Sequence, residues 1–281
     1  MRSRLAAACA LTGAAVAIIP ATAGARPAEP TAKAAAKPVI TMSGSTSVAP
    51  LAVKLIKGYI KTYPKRASFK LAQGGSDVGV ADVAAGRVSI GNSSRDAKSS
   101  DPGGLVFNKI ARDAICLATN TQNRIGNLSQ AQVQDIFSGR VRDWSQVQGA
   151  TVSGPINLVV RTAASGTQDA FQKLFMGTAK VASNAAAKAS NGLVASSVKT
   201  DKQAIGYLSY AFTGGLNDTA YQGVACNLRT AKAGQYPGSR NFWMVTRGKP
   251  SKKGPVGRFI HWVQTSKKAQ KVIATEWVPL R

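Results

Sequence analysis

Three times in this sequence a short apolar run breaks into a glycine- and serine-rich turn, and a helical pattern follows at once. Val39-Ile40-Thr41-Met42 leads into Gly44-Ser45-Thr46-Ser47, and Phe69-Lys70-Leu71-Ala72 into Gly74-Gly75-Ser76-Asp77. Residues 156–160 lead into Arg161-Thr162-Ala163-Ala164-Ser165-Gly166-Thr167. A strand feeding a helix through a tight turn is half of a parallel crossover unit, so the repetition predicts an α/β fold with mainly parallel strands. The junctions also carry chemistry. The first N–H groups of a helix lack intrahelical partners and sit at the positive end of its dipole, which makes the turn an oxyanion site. Ser165 stands where an N-cap belongs. Arg161, at the end of its strand, can add a planar bidentate fork to the same anion. Three such turns with an arginine predict a site for a tetrahedral anion.

The alternation continues along the chain. Leu51, Val53, Leu55, Ile56 and Ile60 have helical spacing, and 77–85 reads as a second helix before a strand at 88–91. Two separate strand-like stretches follow at 105–107 and 114–117. A helix at 128–137 has a serine N-cap and is stopped by Gly139. Residues 204–209 read as a strand, and 256–263 and 267–274 as two helices. The alanine-rich 185–190 carries little pattern, and there is no internal repeat.

Residues 1–25 are predicted to be a signal peptide: Arg2 and Arg4 precede an apolar stretch, and small-x-small cleavage sites end it. That stretch is shorter than the roughly 20 residues a membrane span needs. Cys9 leaves lipidation as an alternative, although only Ala6-Ala7-Ala8 set it off from Leu5. Residues 26–38, mostly alanine, proline and lysine, read as a disordered linker. The protein is therefore expected to be exported, periplasmic or at the cell surface, and not transmembrane. Cys116 and Cys226 would survive cleavage; an oxidising compartment favours a bridge, with two buried thiols as the alternative.

The 37 lysines and arginines outnumber the 12 acidic residues and give a formal charge of +25. Nucleic acid is the first partner such a balance suggests. The aromatics are few and not interleaved with the basic residues, so no nucleic-acid partner is expected. Anionic cell-envelope polymers, lipid headgroups or small anionic solutes suit an exported basic surface better, and a merely solubilising charge is the bland alternative.

The ordered motifs together resemble the phosphate-binding proteins of ABC phosphate transporters, within the periplasmic-binding-protein superfamily. They are the turn 44–51, Gly74-Gly75-Ser76, Ile90-Gly91-Asn92-Ser93-Ser94-Arg95, 128–137 with Gly139 and Trp144, and 161–167. Ala204-Ile205-Gly206-Tyr207, Tyr236-Pro237-Gly238-Ser239-Arg240 and Glu276-Trp277-Val278-Pro279-Leu280 complete the set, so the resemblance covers about 39–280. It implies a two-lobed type II fold, each lobe a mixed, mainly parallel sheet flanked by helices, joined by hinge crossover strands. Lobe 1 would comprise 39–113 and the return 236–281, and lobe 2 would comprise 114–235, which places Cys116 and Cys226 together in lobe 2. Matched residue by residue, Thr46 and Ser47, then Ser76, then Ser94, then Arg161, Ser165, Gly166 and Thr167 fall on the family's four phosphate-binding loops. The implied function is capture of phosphate, or a similar oxyanion, by a monomer that delivers it to an ABC permease. A secreted or envelope-associated oxyanion binder without transport is the alternative. Two departures bear on the ligand. Family members often have an aspartate at the position of Ser94, where it accepts the proton of hydrogen phosphate, and many have another at the position of Ala163. Asp77 is the one nearby carboxylate, and Arg95 stands next to Ser94.

An enzyme is not expected. His261 is the only histidine and lies in a helix-like stretch without a triad signature. Ser196-Ser197-Val198-Lys199 matches a Ser-x-x-Lys pattern too short to be specific. No phosphate-loop motif or metal-ligand spacing is present, so neither cofactor nor metal is predicted. Trp144, Trp243 and Trp277 are expected in packing or hinge positions.

Overall fold

The computed structural model describes residues 36–280. The predicted signal peptide, Cys9 and all but the end of the predicted linker lie outside the described residues. The chain begins with β1 (Val39–Gly44), α1 (Ala49–Thr62), β2 (Ser68–Leu71), α2 (Ser76–Ala84) and β3 (Ile90–Ser93). The strand β1 lies between β2 and β3, parallel to both, with Val39 opposite Ser68 and Met42 opposite Ile90. Next come β4 (Leu105–Thr119), β5 (Asn127–Leu128), α3 (Gln130–Phe137), β6 (Asn157–Arg161) and α4 (Gly166–Phe171), which runs into a π-helical turn at Gln172–Met176. Then follow β7 (Ala186–Lys188), α5 (Asn191–Thr200), β8 (Ala204–Ser209), β9 (Asn217–Tyr221) and α6 (Leu228–Lys232). The chain returns through β10 (Ser239–Arg247) and ends in α7 (Pro255–Thr265) and α8 (Lys267–Ile273).

The strands form a curled mixed sheet in the order β2-β1-β3-β10-β4-β8-β6-β7, with β9 on β4 and β5 on β9. Its spine is the 15-residue β4, where the sequence predicts two separate strands. Asn108, Lys109, Arg112 and Asp113 interrupt the apolar pattern, but a backbone ladder does not depend on it. The first part of β4 pairs antiparallel with β10, Leu105 opposite Arg247 through Ala114 opposite Ser239. From Ile115 onward it pairs with β8 and β9 instead.

One strand thus serves two cores. On one side of the β10 switch, Leu51, Leu55 and Tyr59 form a stripe on α1 that packs with Phe259 and Trp262 of α7 and Ile273 of α8. Burial of each such side chain contributes roughly 1.5–3 kcal/mol. Along β10 the period of two divides the faces: Phe242 and Met244 join that core, while Trp243 and Val245 meet Val80 and Val83 of α2 on the opposite face. The other core gathers Phe137, Trp144, Phe171, Phe175, Tyr207 and Tyr221. It contains the Cys116–Cys226 disulfide, with Cα atoms 5.6 Å apart. Two of the tryptophans pack as predicted. Trp144 and Trp277 are fully buried, and Trp144 Nε1 donates to the Gln203 carbonyl at 2.8 Å. Trp243 is half-buried and donates to Asp96 Oδ1 at 3.0 Å.

Candidate anion-binding site

The predicted site residues meet where the two cores face each other. Thr46 and Ser47 lie on the turn from β1 to α1, Ser76 is the first residue of α2, and Ser94 follows β3. Arg161 ends β6, Ser165 caps α4, and Gly166 and Thr167 open that helix. All are buried. Local chemistry accounts for much of this. The Ser165 hydroxyl accepts from the N–H groups of Thr167 and Gln168 at 3.1 and 3.4 Å, which leaves its own O–H to donate. The α2 junction needs a glycine, because Gly75 has φ of +98° and a Cβ there would lie 2.6 Å from the Ala164 carbonyl.

Tertiary geometry closes the set. Arg161 Nη2 donates to Thr46 Oγ1 at 3.0 Å and Nη1 to Thr167 Oγ1 at 3.4 Å. Backbone carbonyls of Lys188 and Ala189 hold its Nε and Nη2 at 3.1 and 3.0 Å. The Arg161 N–H donates to the hydroxyl of Tyr207, whose ring stacks on Phe171 with centroids 3.7 Å apart, so the aromatic core aims the arginine. Across the cleft the hydroxyls of Ser47 and Thr167 are 2.9 Å apart, and the Asp77 N–H donates to the Ala164 carbonyl at 3.1 Å. Ser94 Oγ accepts from Ser45 Oγ at 2.9 Å and lies 3.2 Å from Ser76 Oγ.

Sequence reasoning missed three members. Arg240 Nη1 donates to Thr167 Oγ1 and Nη2 to Ser47 Oγ, both at 2.9 Å. Asn191 Nδ2 donates to Ser47 and Thr46 hydroxyls at 2.8 and 3.2 Å. Asp113 Oδ2 accepts from Nε and Nη2 of Arg240 at 3.1 and 2.9 Å, and its Oδ1 accepts from Ser209 Oγ at 2.9 Å. A signal for Arg240 was present: with Phe242 and Met244 it occupies the inward register of β10, an unusual place for an arginine. For Asn191, the first residue of α5, no comparable signal exists.

The electrostatics are those of an anion receptor. Two guanidiniums and an amide point their donors at three hydroxyls, and Asp113 is the one carboxylate among the described residues that balances them. It pairs with Arg240, which leaves Arg161 without a carboxylate among its described partners. Burial, then the charge of Arg240, pulls the Arg161 pKa down to about 10, so it stays protonated at neutral pH. Burial likewise pushes the Asp113 carboxyl up, opposed by the attraction of Arg240. The two flanking charges named above turn away: Arg95 binds Asp77 Oδ1 at 2.5 Å and grips both oxygens of Asp101, while Lys98 is 3.5 Å from Asp77. Neither Asp77 nor the Arg95 guanidinium serves Ser94. His261 is exposed on α7, and Ser196 and Lys199 lie on α5 outside this cluster.

A Cβ on Gly166 would lie 2.3 Å from Ser76 Oγ and 2.8 Å from Ser94 Oγ, both across the cleft. Gly166→Ala is therefore expected to obstruct closure rather than folding. Thermal unfolding without ligand should be nearly unchanged, while anion affinity falls by roughly tenfold or more, about 1.4 kcal/mol. Unchanged affinity in a calorimetric titration would show that closure does not need this contact.

This closed, donor-rich cleft between two α/β lobes defines a solute-binding protein. A PBP superfamily domain matches residues 28–267, and the chain belongs to that superfamily. It is 27% identical over 242 residues to the phosphate-binding protein PstS of Bacillus subtilis, covering 84% of this chain and 78% of the relative. Against PstS of a Staphylococcus epidermidis strain the identity is 30% over 177 residues, which covers 60% of this chain and about half, 54%, of that relative. Among solved structures, a phosphate ABC transporter substrate-binding protein from Clostridium perfringens with bound phosphate superposes with a TM-score of 0.81 at 28% identity, over 86% of this chain and all of that one. An ABC-type phosphate transport receptor from Vibrio cholerae does so with 0.69 at 26% identity, over 85% and 99%.

Proposed function

We propose that this protein is an exported receptor that captures phosphate between its lobes and delivers it to an ABC transporter. The observation that carries the reading is the buried convergence of Arg161, Arg240 and Asn191 on the Thr46, Ser47 and Thr167 hydroxyls, with one carboxylate to balance two guanidiniums. The excess positive charge, the Ser165 cap and three helix starts suit a small dianion. The similarity to phosphate-binding relatives supports phosphate as that dianion. Lobe 1 comprises 39–113 and 236–281 and lobe 2 comprises 114–235, a division supported by the two cores on either side of the Ala114–Ser239 pairing. The ligand set comprises Thr46, Ser47, Ser76, Ser94, Arg161, Ser165, Gly166 and Thr167, with Arg240 and Asn191 added. Isothermal titration against phosphate, sulfate and arsenate tests the reading; absence of heat with all three would refute it.

The same titration bears on selectivity. Hydrogen phosphate carries a proton that needs an acceptor, and sulfate does not. A fixed carboxylate attracts the first and repels the second. The Ser94 side chain meets only hydroxyls, which are neutral and can rotate to donate, Asp77 is held by Arg95, and the two oxygens of Asp113 are taken by Arg240 and Ser209. Sulfate should therefore compete measurably with phosphate near pH 8. If a thousandfold excess of sulfate leaves the apparent phosphate affinity untouched, discrimination must come from another group.

A further inference from the structure

We propose that the outer face of the α1–α7–α8 layer is a docking surface for an anionic lipid bilayer. Residues 49–66 and 251–276, which build this layer and its loops, carry eleven lysines and arginines. They carry one carboxylate, Glu276, which Lys54 already binds at 2.6 Å. The other ten basic residues are exposed. The helix on the opposite face of the same sheet is unlike it. The helix α2 has Asp77 and Asp82 and no basic residue, and Arg87 just beyond is tied to Asp82 at 2.8 Å. About half the net charge of the described residues thus lies on less than a fifth of them, an asymmetry that solubility does not require.

The composition and placement of the face fit a planar, fluid array of headgroups. Nine of the eleven are lysines, compact charges on flexible stems that suit diffuse attraction rather than bidentate capture of one anion. Lys57 and Lys61 on α1 alternate with Val53 and Ile60, 41% and 39% exposed, apolar residues able to sit at the headgroup boundary. Three helices side by side offer a broad surface, whereas a polymer strand would be served by a groove. Each basic residue near an anionic surface multiplies the affinity by roughly fivefold.

The test uses the full chain as its cell produces it, sedimented with vesicles of equal parts phosphatidylglycerol and phosphatidylcholine, or of phosphatidylcholine alone, at about 0.1 M salt. Lys57→Glu, Lys61→Glu, Lys268→Glu and Lys271→Glu together should lower binding to the anionic vesicles by roughly six hundredfold and by tenfold at least. The same charge change on exposed residues of the other core, Lys180→Glu, Lys199→Glu, Lys202→Glu and Arg229→Glu, should cost less than about threefold. Equal losses in both variants, or equal wild-type binding to neutral vesicles, would overturn the proposal. So would tighter binding, per phosphate, to soluble polyphosphate that the first variant abolishes. None of the eight residues touches the cleft, so phosphate titration of both variants reports separately on the receptor reading.

Discussion

Arg161→Ala is expected to weaken oxyanion binding by roughly 2–5 kcal/mol, more than any single serine or threonine change in the cleft. The guanidinium supplies charge-assisted hydrogen bonds about twice as strong as neutral ones, and its removal leaves the bound charge uncompensated in a closed site. The sign of the accompanying stability change separates this from a structural role. Arg161 is buried without a carboxylate partner, held by the Lys188 and Ala189 carbonyls, so the ligand-free protein bears a desolvation cost on its account. The alanine variant should therefore unfold at the same temperature as the wild type, or higher, without anion. It should lose the upward shift that saturating phosphate gives the wild type. Calorimetry with and without phosphate measures both. Affinity unchanged within twofold would remove Arg161 from the site, and a lower melting temperature without anion would make it a structural arginine.

Loss of the Cys116–Cys226 bridge is expected to cost roughly 4–5 kcal/mol, because the bond closes a loop across 110 residues and its removal frees the unfolded chain. The bridge ties β4, three residues past Asp113, to the segment that starts α6 at the Asn227 cap. Cys116→Ala with Cys226→Ala should lower the denaturation midpoint strongly while phosphate affinity in the folded protein changes little, since neither sulfur touches the cleft cluster. Alkylation of unreduced protein followed by mass spectrometry should find no free thiol at these positions. Two alkylated cysteines in oxidised material, or a midpoint indifferent to reductant, would contradict the prediction.

Local features of this protein were legible without coordinates. Capping acts over three or four residues, so Ser129, with its Gln132 partner, and Ser165 could be recognised as helix starts from their neighbours alone. The helix α1 follows from the helical spacing of Leu51, Val53, Leu55, Ile56 and Ile60, although the structure buries Tyr59 with Leu51 and Leu55 and leaves Val53 and Ile60 exposed. Three of the four ligand loops announce themselves as glycine- and serine-rich turns after apolar runs, and Arg161 stands at the end of one. The Ser94 loop has no such local signature; its place came only from the family resemblance.

Tertiary structure decided the rest, because its determinants lie far apart in sequence. Arg240 reaches Ser47 across 193 residues and Asn191 reaches it across 144, contacts that only the return of β10 and the packing of α5 create. The same packing turned Asp77 and Arg95 toward each other and away from Ser94. It also joined two apparent strands into β4, whose polar middle is tolerated because Arg240 neutralises Asp113. The basic face arose likewise, from helices about 190 residues apart in the chain that share one side of a sheet. Backbone hydrogen bonding and helix capping are short-ranged and leave marks in neighbouring residues. Charge balance in a closed cleft is a sum over everything the fold brings within a few ångströms, and no local pattern encodes that sum.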